Sequence, residues 1–249
     1  AQMIEQIKIL IDKSYAYVVD GDVYYDVAKF KDYTKLSRMP LEELKKHRIE
    51  PDPRKKNSYD FSLWKKQKPG ELAWDSPWGK GRPGWHIEDT AMTRAIFGPQ
   101  YDLHGGGSEH IFPHHTNEIA QAEAASGKKP FVKYWLHVGM LQIGGVEMHK
   151  SLKNFITIRE MLLRIDAEVL RLYYASTHYR KPIEFDEKHI EEPKKELEYL
   201  YNTLRNIQAS ASEDGKEPAD LKKTLSQARK DFAEAMNNDF NTPQALTHL

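Results

Sequence analysis

Apolar residues recur every three to four positions in the first segment of the chain, "MIEQIKILIDKS", which predicts an amphipathic helix. The residues on its apolar face are Met3, Ile4, Ile7, Leu10 and Ile11. The next segment, "YAYVVDGDVYYDV", contains two apolar runs separated by Asp20-Gly21. Because this dipeptide suits a tight two-residue turn, the segment predicts a β-hairpin.

The pattern changes between residues 28 and 82, where Lys, Arg, Pro and Trp are frequent and apolar periodicity is weak. This texture is typical of a loop-rich inserted subdomain. One short helix is predicted at "PLEELKK", with Pro40 at its first helical position.

Regular periodicity returns near Gly84. The segment "GWHIEDTAMTRAIFG" predicts a helix that Gly98 ends, and "YDLHG" predicts a short strand that ends at the glycines. A second helix is predicted from Pro113 to Gly127, and "YWLHVGML" predicts a second buried strand. Helix, strand, glycine turn, helix and strand together predict an α/β nucleotide-binding layer. Only helices are predicted beyond it.

Composition adds limits to this picture. The 249 residues are 39% hydrophobic and 30% charged, which is typical of a globular protein. The sequence has no cysteine, so this chain can form no disulfide and supply no thiolate ligand. The formal net charge is zero, so any contact with nucleic acid must be local. The absence of cysteine favours a cytoplasmic protein, and with no long apolar run we expect no membrane span.

Two histidines and a carboxylate indicate chemistry around the glycines. His114 and Glu118 lie four residues apart on a predicted helix, so both side chains can bind one divalent ion, and zinc suits them best. Exposed His-Glu pairs on helices are nevertheless common. His104, predicted at the carboxyl end of a strand, either contacts a ligand or is a hydrogen-bonded core residue. Gly105 and Gly106 either admit a ligand or form a plain turn.

Other features allow two interpretations each. Trp85 is either one wall of a substrate site or ordinary packing. Lys150, in a hairpin with the sequence "GGVEMHKSLKNF", either reaches a phosphate or faces water. The basic clusters between Lys45 and Lys68 either contact a nucleic-acid backbone or form solvated surface.

Taken in order, several segments resemble the cysteinyl-tRNA synthetase family of class I enzymes. They are "GRPGWHIE", "DLHGGGSEHIFPHHTNEIAQ", "HVGML", "KSLKNFITIRE", "LRLYYASTHYRKPIEF" and "NNDFNTPQAL". The resemblance covers essentially the whole chain and implies a fragment that lacks the N-terminal half of the nucleotide-binding fold. The implied fold class is α/β: the second half of a Rossmann-like catalytic domain with a connective insertion, followed by an all-helical C-terminal region.

The resemblance also implies domain boundaries. Residues 1–82 would contain the end of the first nucleotide-fold half and the insertion, and residues 83–145 the second half. Residues 146–195 would contain the signature loop and the helices that contact the tRNA stem. Residues 196–249 would begin a helical anticodon-side domain.

The resemblance implies that the site selects cysteine by binding the thiolate of the substrate to a zinc ion. The family's histidine and glutamate zinc ligands correspond to His114 and Glu118, whereas Asp89 stands where the family has a cysteine ligand. Trp85 would wall the bound cysteine, and His104 would lie near its amino and carboxyl groups. Gly105 and Gly106 would leave room for the adenylate.

Lys150 corresponds to the second lysine of the family's Lys-Met-Ser-Lys-Ser loop, which reads "EMHKS" here, and would stabilise the pyrophosphate leaving group. The implied activity is ligation of cysteine to tRNA(Cys), with ATP and magnesium as co-substrate and zinc as cofactor, in a monomer. Asp89 and Glu147 favour an alternative, an inactive paralogue that binds tRNA or protein. A ligase that joins cysteine to an amino sugar is a third hypothesis.

Overall fold

A computed structural model describes residues 1–40, 43, 52–210 and 218–249, apart from the side chains of residues 150 and 187. The described chain divides into two compact units, Ala1–His137 and Val138–Leu249. The short helix predicted at residues 40–46 lies, except for its first residue and residue 43, outside the described residues. None of the described helices is long and apolar enough to span a membrane.

The first unit opens with the predicted helix and hairpin. Helix α1 spans Gln2–Asp12, and strands β1 and β2 span Ala16–Val19 and Asp22–Tyr25. Asp20 and Gly21 both have positive φ angles, 51° and 92°, so the two-residue turn and the hairpin are confirmed. Residues of this kind tolerate the left-handed backbone that the turn requires.

The inserted region contributes more regular structure than its sequence predicts. Strands β3 (Phe61–Lys66) and β4 (Gly81–Pro83) extend the hairpin into an antiparallel sheet in the order β1-β2-β3-β4. Leu63 and Trp64 of β3 are buried in the same core as Ile7 and Leu10 of α1. These few apolar side chains form a strand because the hairpin edge supplies the partner backbone, which local composition does not reveal.

The α/β layer follows as predicted, with one difference at the glycines. Its elements are α2 (Ile87–Phe97), β5 (Tyr101–Gly107), α3 (Thr116–Ser126) and β6 (Val132–Val138). Helix α2 ends at Gly98 and α3 at Gly127, as the sequence predicts. Strand β5 pairs with β6 and continues through all three glycines, so the prediction of a glycine turn was wrong.

The second unit contains a small sheet as well as helices, so the expectation of helices alone was wrong. Strands β7 (Leu141–Ile143), β8 (Val146–Glu147) and β9 (Ile183–Glu184) pair in the order β8-β7-β9. β9 pairs in parallel with β7 from more than 40 residues away, a long-range contact that two residues of sequence cannot signal. The helices are α4 (Ile158–Met161), α5 (Ala167–Ala175), α6 (Glu187–Ser210), α7 (Ala219–Asn237) and α8 (Thr242–Leu246).

The helix starts of this unit match their sequence signals. Thr157 and Glu160 form the predicted capping box, and the Asp166 carboxylate accepts a hydrogen bond from the Glu168 backbone N–H at 2.8 Å. Both contacts satisfy amide groups that the first turn of a helix leaves without partners.

Candidate metal and substrate site

The candidate site is built on the first turns of two neighbouring helices. Asp89 lies in the first turn of α2, which begins directly after Trp85 and His86. His114 lies in a π-helical turn, residues Ile111–His115, that leads into α3, and Glu118 lies in the first turn of α3 itself. α3 is buried throughout residues 116–125, so its first turn holds Glu118 away from solvent.

His114 lies between two carboxylates. Its Nε2 atom is 2.9 Å from Asp89 Oδ2 and 2.9 Å from Glu118 Oε1. An imidazole nitrogen that faces two carboxylates must carry a proton when no metal is bound, and the Nε2–H donates to Asp89. The structure therefore brings Asp89, His114 and Glu118 together, with one donor atom from each within 4.8 Å of the others.

The carboxylate of Glu118 is fully buried and lacks a hydrogen bond. Its side chain is 0% exposed, and neither oxygen has a hydrogen-bond partner, because the His114 proton is directed at Asp89. A buried carboxylate that receives no hydrogen bond is costly. Such a group fits a cation ligand, and the aspartate–histidine–glutamate donor set suits zinc. The residues present therefore fit a divalent ion.

A second histidine supports His114 from the other side. His86 Nδ1 lies 2.8 Å from His114 Nδ1, so one ring donates and the other accepts. Burial, followed by the charge of His114, lowers the pKa of His86 to about 3, so His86 is the neutral acceptor. Burial alone would lower the pKa of His114, but the hydrogen bond to Asp89 and the charged Glu118 carboxylate 2.9 Å away outweigh it and raise that pKa to about 9. In the metal-free chain, His114 is therefore a cation between two anions.

Trp85 forms one side of this cluster. Its ring centroid is 4.4 Å from that of His114, and the indole remains 53% exposed. It also contacts His86 and His110. An exposed aromatic face beside buried polar groups is the arrangement expected for the wall of a small-molecule site.

His104 and the glycines lie differently from their predicted positions. His104 is at the middle of β5, three residues before its end, so its placement at the carboxyl end of a strand was wrong. Its ring stacks on Trp135 of β6, with centroids 4.8 Å apart, and its Nδ1 is hydrogen-bonded to the Tyr101 hydroxyl.

Packing explains why position 106 is a glycine. A Cβ atom at this position would lie 2.7 Å from His115 Cε1 and 3.0 Å from His115 Nε2. At Gly105 the nearest atom would be Leu136 O, at an ordinary 3.6 Å. Gly106 therefore lets the His115 ring approach the strand, and the adenylate-binding role of both glycines stays a prediction.

Lys150 lies in the second unit, in a 3-10 turn that spans Lys150–Leu152, and its side chain is outside the described structure. The preceding hairpin has Gly144 and Gly145 at its tip, both with positive φ. Glu147, which stands at the first lysine of the Lys-Met-Ser-Lys-Ser loop, is hydrogen-bonded through Oε2 to His149 Nε2 at 3.1 Å. The role of Lys150 in binding phosphate stays a prediction.

Sequence reasoning missed several residues of the histidine cluster. These are His86, His137, Tyr101 and Trp135, which contact the ligands or one another. His115, which the sequence offers as a competing ligand on a different face from His114, lies in the same cluster. Six of the chain's eleven histidines lie in this cluster: His86, His104, His110, His114, His115 and His137. This concentration between residues 86 and 137 was a signal in the sequence, although it does not reveal which rings touch.

Solved structures similar to this chain are class I synthetases in fold. A putative arginyl-tRNA synthetase from Campylobacter jejuni matches 98% of this chain and 50% of its own, with a TM-score of 0.58 and 13% identity. An Agrobacterium radiobacter K84 LeuRS in complex with tRNA and LeuAMS matches 71% of this chain and 28% of its own, with a TM-score of 0.51 and 15% identity. At such identities the likeness concerns the fold alone.

Curated relatives are much closer in sequence. A cysteine–tRNA ligase of Heliobacterium modesticaldum is 48% identical over 100% of this chain and 54% of its own length. Those of Thermococcus onnurineus and Aquifex aeolicus are 49% and 47% identical over 98% and 100% of this chain. The chain spans about half the length of these relatives.

Two protein families match separate parts of the chain. Residues 231–249 match the DALR domain, and residues 1–195 match the family described as tRNA synthetases class I (C) catalytic domain. The second match covers most of the chain, including every residue of the candidate site. The chain belongs to the class I tRNA synthetase (C) catalytic-domain family.

Proposed function

We propose that the protein containing this chain ligates cysteine to tRNA(Cys): it activates cysteine with ATP and magnesium and transfers it to the tRNA. The observation that carries the proposal is the convergence of Asp89, His114 and Glu118 beside the exposed face of Trp85. Eight curated relatives named cysteine–tRNA ligase, at 47–50% identity, support the same activity.

Zinc is the ion that Asp89, His114 and Glu118 would hold. When bound, zinc would act as a Lewis acid that binds the substrate thiol as its thiolate. Serine and alanine cannot form such a metal–thiolate bond at neutral pH. The three protein ligands leave a coordination position for that thiolate, as a substrate-binding zinc site requires. Glu118 neutralises the ion from the buried side, and His86 orients His114 through Nδ1.

The organic part of the substrate would lie between Trp85 and His104. The Trp85 indole excludes water from one side, and the His104 ring, 17% exposed in its side chain, would contact the amino or carboxyl group. Lys150 would stabilise the pyrophosphate leaving group, with Gly105 and Gly106 near the adenylate. Cytoplasmic location and a monomeric state remain predictions of the sequence.

Cysteine-dependent exchange of pyrophosphate into ATP and aminoacylation of tRNA(Cys) test this function. The measurements need the whole protein, or this chain fused to the part of the Heliobacterium modesticaldum enzyme that it does not cover. We expect both reactions with cysteine and at least about 100-fold less exchange with serine, since a metal–thiolate bond is lost. Binding of tRNA(Cys) without exchange would support the inactive paralogue instead, and cysteine transfer to an amino sugar but not to tRNA would support the third hypothesis.

A further inference from the structure

A second group of potential ligands lies behind the first. His104, His115 and Glu118 each offer a donor atom within 4.8 Å of the others. His115 and Glu118 are buried, and the His104 side chain is only 17% exposed. Glu118 belongs to both groups, which are otherwise composed of different residues.

His115 is oriented as a ligand would be. Its Nδ1 lies 2.8 Å from His137 Nε2, which leaves its Nε2 available on the other side of the ring. The same relationship holds for the adjacent His114, whose Nδ1 contacts His86 and whose Nε2 faces the carboxylates. Histidines that bind metals commonly have their second ring nitrogen fixed by an outer partner in this way.

Glu118 directs one oxygen to each group. Oε1 is 2.9 Å from His114 Nε2, and Oε2 is 3.7 Å from His104 Nδ1. Neither oxygen has a hydrogen-bond partner, although the side chain is fully buried. One ion at the first group would engage Oε1 and leave Oε2 buried without a hydrogen bond, 3.7 Å from His104 Nδ1.

We propose that Glu118 bridges two divalent ions, the first held with Asp89 and His114 and the second with His104 and His115. Two imidazoles and one carboxylate favour zinc, cobalt or nickel over magnesium and calcium, which prefer all-oxygen sites. The second ion goes beyond the proposed ligase function, which uses only the ion held by Asp89, His114 and Glu118. It shares Glu118 with that zinc site, and it would hold the His104 ring that the ligase function places beside the amino or carboxyl group of the substrate.

The competing arrangement is a hydrogen-bonded cluster with no second ion. The Tyr101 hydroxyl is hydrogen-bonded to His104 Nδ1, the atom nearest Glu118 Oε2. If this contact persists, His104 is held by tyrosine. A second ion must instead displace that hydroxyl or use the other ring nitrogen, so the two arrangements predict different metal stoichiometries.

Titration of Co²⁺ into the metal-free 249-residue chain separates them, with the ion content measured after gel filtration. We expect two ions per wild-type chain, one per chain in His115→Ala and one in Asp89→Ala. The affinity for the second ion should fall by more than about 100-fold in His115→Ala. Loss of a residue that only supports a ligand lowers metal affinity by less than this. His110→Ala is the matched control and should keep both ions, since the His110 ring meets His114 edge-on and stacks on His115 but belongs to neither group.

Tryptophan fluorescence assigns each ion to its group. Trp85 is 4.4 Å from His114, whereas Trp135 is 4.8 Å from both His104 and His115, measured between ring centroids. The fluorescence quenching caused by the first ion should therefore be smaller in the Trp85→Phe variant. The quenching caused by the second ion should be smaller in the Trp135→Phe variant. Far-ultraviolet circular dichroism checks the fold of every variant, and His104→Asn replaces His115→Ala if that variant unfolds.

Each other outcome overturns the proposal in a different way. One ion that is lost in Asp89→Ala but kept in His115→Ala removes the second ion and leaves the zinc site intact. One ion that is lost in His115→Ala but kept in Asp89→Ala removes the bridge and the zinc site. A chain that binds no cobalt or zinc overturns both, whereas failure of cysteine activation with two ions bound would concern the ligase function alone.

Discussion

Glu118 Oε1 lies 2.9 Å from His114 Nε2, yet the proton on that nitrogen is donated to Asp89 and the buried glutamate receives no hydrogen bond. The first turn of α3 thus holds an anion that only a cationic partner can compensate. Without metal that partner is protonated His114, and with metal it would be the ion.

The stability of the metal-free chain should therefore decrease as pH rises above neutrality. The pKa of His114 is raised to about 9 from 6.5, so its contribution is complete below pH 6.5 and is lost as pH rises through 9. The loss should be about 3 kcal/mol at most, at about 1.4 kcal/mol per pKa unit. Urea unfolding between pH 6 and 10 measures it, and His114→Gln should remove the dependence.

The opposite dependence should appear in acid. Burial lowers the pKa of His86 to about 3 and that of His115 to about 2, so both rings are neutral when folded and must be protonated in the unfolded chain below pH 6.5. Stability should fall as pH decreases from 6.5 toward 3 because the unfolded state then binds more protons. Stability that is flat across pH 4 to 6 would contradict the buried, neutral histidines.

Replacing Asp89 with cysteine should strengthen zinc binding. The Asp89→Cys substitution puts a soft thiolate beside His114 and Glu118. Zinc binds a thiolate more strongly than the carboxylate oxygen that it replaces. We expect at least about a 10-fold gain in zinc affinity and little gain for magnesium. Competition with a chromophoric chelator measures the affinity.

Asp102→Cys is the matched control for this substitution. It adds one thiol on β5, where the Asp102 side chain is 77% exposed and paired with Lys133. An equal gain in both variants would mean that any surface thiol captures zinc, and that Asp89 is not a ligand.

Gly106→Ala should destabilise the chain, and Gly105→Ala should not. The new Cβ at position 106 would lie 2.7 Å from His115 Cε1, inside contact distance, whereas the nearest atom at 105 is 3.6 Å away. Overpacking of this kind typically costs about 1–3 kcal/mol. Urea unfolding gives the free energies. Equal stability of the two variants would show that the His115 ring does not lie against the strand.

Lys150→Ala should reduce cysteine-dependent pyrophosphate exchange about 100-fold or more in the whole protein, in line with other electrostatic contributions to transition states. Lys153→Ala, a change at an exposed lysine of the same segment, is the control and should leave exchange unchanged. Equal, measurable rates for wild type and Lys150→Ala would remove the lysine from the reaction, and absent exchange in both would favour the inactive paralogue.

Local signals determined much of this protein. Turn and cap residues act within a few residues of their own position, so the sequence alone predicts the elements that they begin or end. They are the Asp20-Gly21 turn, the capping residues Thr157 and Asp166, and the helix-ending glycines Gly98 and Gly127. The spacing of His114 and Glu118 likewise predicts a shared helical face, because the period of the helix fixes it.

Only the tertiary structure decided what those side chains meet. Asp89 reaches His114 from another helix, and His137 supports His115 from strand β6. A glycine is required at position 106 because of a ring nine residues further along the chain. Strand β9 forms because β7 offers a free edge. Such contacts depend on how separate elements pack, and the resulting burial, which leaves Glu118 without a hydrogen bond, follows from that packing and from no local pattern.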